Sequence, residues 1–141
     1  MPKFGTMFRL RFRRKELPWE VVDNKFVDPV PTYSSYDELQ IDSISDTELN
    51  GTYVFDINPS NGKAYRGIHD LHRAVNFSRQ QLMSEASKRG FNVLLVESWQ
   101  LKILRKNKHH RIEVRYSGRP ARCVGKPPSS RSPPCIGILH T

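Results

Sequence analysis

A chain of 141 residues, 37% of them hydrophobic, can form one domain with a core and is too apolar to be wholly disordered. Its longest apolar run, Val93 to Val96, is strand length, so no transmembrane helix is predicted, and no apolar stretch follows the N-terminal charges as a secretory signal requires. Two cysteines, Cys123 and Cys135, do not make a disulfide scaffold, and the expected location is a reducing one, intracellular and either cytoplasmic or nuclear, with a mitochondrial location as the alternative.

The net charge of +9 is unevenly spread. Residues 1–28 carry seven Lys/Arg against four Asp/Glu, residues 29–60 carry six Asp/Glu and no Lys/Arg, and residues 61–141 carry sixteen Lys/Arg against four Asp/Glu. A basic body with an acidic insert suits an anionic partner, either a nucleic acid or an acidic protein surface. Ordinary surface charge serving only solubility is the competing reading.

At the start of the chain Phe8, Leu10 and Phe12 alternate with Arg9, Arg11 and Arg13. Period two predicts a strand with one apolar face and one arginine face. The same basic, acid-free stretch has the charge of a mitochondrial presequence, but presequences are amphipathic helices rich in serine, and neither property is present. Residues 1–27 therefore form a basic strand segment, and residues 28–50 read as an acidic linker stiffened by Pro29 and Pro31. Within it, Ser45 and Glu48 have the spacing to cap one helical turn.

Residues 51–123 read as the core. Thr52 to Ile57 is a predicted strand, Asn58 to Gly62 a turn, and Lys63 to Arg66 its returning strand. Ile68, Leu71, Ala74 and Val75 have the period of a short helix. A second helix is predicted at 79–89, with Ser78 and Gln81 as a capping box, Phe77 and Leu82 as a hydrophobic staple, and Gly90 as its left-handed cap. After Gly90 the period returns to two. Phe91, Val93, Leu95, Glu97, Trp99, Leu101 and Ile103 share one parity, in one bent strand or two strands broken near Glu97. A polar turn at Arg105 to His109 leads into Ile112, Val114 and Tyr116, alternating with Arg111, Glu113 and Arg115. Residues 124–141 form a Pro-rich tail, expected to be extended and tethered by Ile136, Ile138 and Leu139. The fold class is α+β, a mainly antiparallel sheet with one or two helices packed on one face, in one domain overall.

The residues Leu82 to Ala86, Arg89 to Val96, and Gly118, Ala121, Arg122 and Cys123 resemble a pattern in small bacterial envelope-stress lipoprotein domains, where a helix runs through Gly-x-Asn into a strand. The resemblance covers less than a third of the chain. It implies the helix-to-strand passage and a non-catalytic role, and no site residue comes with it.

If the arginine strands share one sheet face, Arg9, Arg11, Arg13, Lys102, Arg111 and Arg115 form a cationic surface, and Lys106 and Lys108 extend it at the loop tip. Phe8, Phe12, Trp99 and Tyr116 have the opposite parity, so this face grips a backbone or an acidic surface and does not stack bases. Other chemistry is thinner. His69 and His72 have a chelating spacing but lack a third ligand, and Cys123, Cys135 and His140 lack close Cys-x-x-Cys pairs, so no metal is expected. Glu97 on the apolar parity has the setting of a general acid, but a bulge at Glu97-Ser98 turning it outward is the favoured reading. No nucleotide-binding glycine loop, nucleophile elbow or carboxylate pair occurs, and no cofactor is expected. The predicted function is a non-catalytic binding module for an anionic partner. Its alternatives are a protein-interaction module docking through residues 28–50 and 124–141, and a small enzyme using Glu97 or His69 and His72.

Overall fold

The computed structural model describes residues 18–34, 39–57, 67–125 and 131–140. They form one five-stranded antiparallel sheet with a single long helix against one face, the predicted α+β class. The strands are β1 (Glu20–Pro31), β2 (Ile41–Ile44), β3 (Leu49–Ile57), β4 (Val93–Lys106) and β5 (His109–Cys123), and the helix α1 (Ile68–Lys88) connects β3 to β4. The predicted strand at residues 8–13 and the returning strand at 63–66 lie outside the described residues.

β4 and β5 make the long hairpin that the alternating residues predict. Lys106 faces His109 across a two-residue turn, whose first residue, Asn107, has φ 58. Asparagine tolerates that left-handed backbone better than most residues. β2 and β3 run end to end along the other side of β5, Ile44 opposite Ala121 and Leu49 opposite Gly118. Between them Ser45 folds back on Thr47: its Oγ donates to the Thr47 carbonyl at 2.8 Å and accepts from the Thr47 amide at 3.3 Å. This bend takes the place of the helical turn expected at Ser45 to Glu48.

β1 pairs with β4 on the opposite edge. Together, β1, β2 and β3 put residues 28–31, 41–44 and 49–50 into the sheet, within the segment that the sequence suggests is a linker. Asp23-Asn24, Asp28-Pro29 and Pro31 hide the strand because they look like turns. An edge strand has one unpaired side, so it accepts prolines, and register shifts at Val21/Asp23 and Val27/Val30 absorb the irregularity.

α1 is one helix, whereas the sequence suggests two. Its buried stripe is Leu71, Ala74, Val75, Ser78, Arg79, Leu82 and Ala86, a helical spacing that continues through the expected break. Ser78 faces the sheet from mid-helix, and its Oγ donates to the Ala74 carbonyl at 2.7 Å. Burial of the whole stripe outweighs the local preference of serine for a cap. Phe77 does not staple to Leu82. It lies half-exposed, edge-on to Phe55 with ring centroids 5.6 Å apart. Gly90, at φ 89, ends the helix as predicted. Two residues on, Asn92 hooks the Cys123 backbone, donating to its carbonyl at 2.9 Å and accepting from its amide at 2.7 Å.

The main core lies between α1 and the sheet. Val27, Leu49, Leu101, Ile103, Ile112 and Val114 supply the sheet side, and Leu139, from the 3-10 turn Ile136–His140, joins them. Trp99 Nε1 donates to the Pro134 carbonyl at 2.9 Å, so the last part of the chain is tied to the core. Residues 126–130 of the Pro-rich tail lie outside the described residues. A bulge in β4 after Leu94 splits the single parity read from the sequence. Leu94 joins the main core, while Val93 and Leu95 face the other side. There they pack with Ala121, Cys123, Tyr33, Leu39 and Ile41 in a smaller second cluster.

Candidate anion-binding surface

The sheet face opposite α1 is covered at one end by the second cluster and open toward the hairpin turn. On β4 and β5 the side chains between the buried ones point to this face. Register aligns them in rows: Gln100, Arg115 and Thr52, then Lys102, Glu113 and Val54, then Leu104, Arg111 and Asp56. The structure thus brings Lys102, Arg111 and Arg115 together on one face, with Lys106 and Lys108 at the turn end. Arg9, Arg11 and Arg13 lie outside the described residues.

The face is not purely cationic. Arg111 Nε is 2.7 Å from Asp56 Oδ1, and Glu113 stands directly across from Lys102. At the strand edges Arg105 pairs with Glu20 at 2.8 Å, and Arg122 pairs with Asp42. Arg115 sits between the uncharged Gln100 and Thr52. Exposed pairs of this kind contribute little stability, and each lowers the net positive charge around it.

The hairpin turn and the strand ends beside it carry Arg105, Lys106, Lys108 and Arg111. The Arg111 guanidinium lies 4.2 Å from the centre of the Trp19 ring, and Lys106 Nζ lies 5.9 Å from it. Both distances are in the range of cation–π attraction. Glu20 opposite Arg105 brings the start of β1 to the same end. Residues 1–17, with six Lys/Arg and one Glu, are joined covalently at this point. The described residues carry fourteen Lys/Arg against eleven Asp/Glu, a net +3, so most of the +9 belongs to the rest of the sequence.

Two aromatic residues of this region were not among the sequence candidates. Trp19 lies against Arg111, and Phe26, opposite Gln100 in register, is 60% exposed. Trp99 and Tyr116, which the sequence did single out, are buried as their parity requires. Phe26 lines a shallow groove of about 480 Å³ with Asn24, Gln100, Arg115 and Ser117. The turn-like Asp-Asn and Asp-Pro pairs that hide β1 hide Phe26 with it.

Glu97 is the clearest correction. The bulge beside it is present, yet Glu97 points inward with 0% exposure. Arg79 reaches it from α1 with two hydrogen bonds, Nε to Oε1 at 2.7 Å and Nη2 to Oε2 at 3.1 Å. Tyr116 from β5 donates its hydroxyl to Oε1 at 2.6 Å. Burial disfavours the charged form of Arg79, but the hydrogen bonds and charge of Glu97 outweigh this and hold its pKa above the usual value. Burial, reinforced by the Glu97 carboxylate, pushes the Tyr116 hydroxyl far above its usual value, so it stays a donor. Three donors on a carboxylate without exposed surface make a clamp between helix and sheet. They leave it no open side for the acid–base chemistry considered above.

His69 is exposed and His72 half-buried on α1, and Cys123 is buried while Cys135 is exposed, both as free thiols. Among the described residues no group of three or more His, Cys, Asp or Glu is placed to hold a metal ion, and no helix is long and apolar enough to cross a membrane. Comparison with family models, curated proteins and solved structures finds no match to this chain.

Proposed function

We propose that this chain is a non-catalytic binding module that takes an anionic partner at the hairpin-turn end of its open sheet face. The observation that carries the reading is the stack of Arg111 and Lys106 on Trp19, beside the point where the basic residues 1–17 join the sheet. Stacking holds the Arg111 guanidinium in place, so less side-chain freedom is lost when it meets a phosphate or carboxylate. Lys108, exposed on the turn, and Arg115, further along the face, widen the footprint.

Titration with heparin and with duplex DNA over a salt series tests this reading. Affinity should fall linearly in log–log form with salt, because each phosphate contact releases counterions. The Lys106→Glu/Lys108→Glu variant should weaken binding and reduce the slope on DNA by about two. No binding at low salt, or binding that neither salt nor this variant changes, would exclude the proposal.

A further inference from the structure

Resting on that reading, we infer that the open sheet face is a stacking platform for a single-stranded nucleic acid, with Phe26 under one base and Trp19 near the backbone. Among the described residues Phe26 has the largest exposed fraction of the exposed apolar side chains, at 60%, on a face that carries Asn24, Gln100, Lys102, Glu113 and Arg115 together with Val54 and Leu104. An exposed ring costs free energy in water and contributes nothing to the core, where its neighbour Val27 is buried instead. Single-strand readers place such a ring among cations and amides because every base has a face to stack, whereas duplexes keep their bases paired and stacked.

The groove beside Phe26 supplies the rest of such a site. Gln100 Nε2 donates to Asn24 Oδ1 at 3.2 Å, which orients both amides next to the ring. That bond uses one donor and one acceptor, and each amide has a further group of the opposite kind to offer a base edge. Arg115 lines the same groove, and its cross-strand neighbours Gln100 and Thr52 are uncharged. From Gln100, opposite Phe26, to Leu104, opposite Arg111, β4 rises about 13 Å. The backbone of a strand stacked on Phe26 can therefore pass Lys102 and reach the Trp19–Arg111 pair. The carboxylates of this face limit the charge. Asp56 is held by Arg111, Glu113 faces Lys102, and Asp28 stands at the groove rim. The site is thus better suited to a strand that stacks than to a ligand held by charge alone.

The experiment measures wild type, Phe26→Ala, Phe26→Leu and Phe26→Tyr by fluorescence anisotropy against labelled oligothymidylate, duplex DNA and heparin. Phe26 is exposed, so these variants should keep the fold, which circular dichroism checks. Phe26→Ala and Phe26→Leu should each weaken oligothymidylate binding about tenfold and leave heparin and duplex binding within about twofold, while Phe26→Tyr retains affinity. Unchanged oligothymidylate affinity in Phe26→Ala overturns this inference while leaving the anion-binding module standing. Failure of wild type to bind heparin, duplex and oligothymidylate alike overturns both. A dimer in sedimentation that Phe26→Ala dissolves would assign the face to a second copy of this chain and likewise overturn it.

Discussion

Removing a carboxylate and a guanidinium from water is expensive, and Glu97 with Arg79 offsets that cost only because every oxygen of the carboxylate is met. Cutting one partner leaves the other buried alone. Glu97→Gln should therefore lower stability by about 3–5 kcal/mol in urea denaturation. Replacing all three side chains with apolar ones of similar size should restore most of the loss. A second expectation concerns pH. Tyr116 holds its proton in the folded state above the ordinary tyrosine pKa of 10.0, with burial the larger cause and Glu97 the next. Below that pH both states are protonated and the contribution is full. Above it the unfolded phenol ionises while the buried one does not, so stability should fall as pH rises from about 10, by up to about 1.4 kcal/mol per unit for each such group. Burial raises Tyr33 and Tyr53 in the same direction, so Tyr116→Phe should flatten the fall without abolishing it. The sequence marks Glu97 as unusual through its apolar parity. It does not mark Arg79, 18 positions earlier on another element, as the reason the charge can stay inside.

α1 shows how a local signal yields to a longer one. The capping box at Ser78 has the right residues, but a helix broken there would expose the stripe that Leu71, Val75, Leu82 and Ala86 bury together. The two readings differ in measurable stability. A cap removed by Ser78→Ala costs about 1 kcal/mol, whereas a mid-helix serine replaced by alanine changes stability by no more than about 0.5 kcal/mol, with gained propensity opposing the lost bond. The smaller change is expected. Gly90→Ala should cost about 1 kcal/mol, because φ 89 suits glycine and strains a side chain. The same elements show what was legible. β4, β5 and β3 declare themselves by alternation, and Gly90 by its place after Lys88-Arg89. β1 does not, because an edge strand with only one paired side tolerates prolines and aspartates that a central strand would reject. Phe26 was lost to the sequence reading with it, and so was the most informative residue of the open face.

At the scale of the molecule, charge and fold are divided. The described residues carry +3, and the first seventeen residues, which precede Pro18 and Trp19 in the chain, carry +5. Neutralising Arg9, Arg11 and Arg13 together to glutamine in the full chain should reduce the salt slope of duplex DNA binding by up to about three, since each phosphate contact contributes about 0.9. A smaller loss would measure how many of them reach the ligand. The uneven charge was visible in the sequence from the start. The acids that temper the open face were visible only as residues, because their partners Arg111, Arg105 and Arg122 are set by strand register.

Register also sets an order in time. β4 and β5 meet across two residues, whereas β1 must close a far longer loop, its Asn24 lying 76 positions from Gln100. Loop-closure entropy favours the hairpin before β1. The strand that brings Phe26 to the open face is an edge strand, paired on one side only. Its amides should exchange with solvent faster than those of β5, and a ligand stacked on Phe26 should slow that exchange at β1 above all.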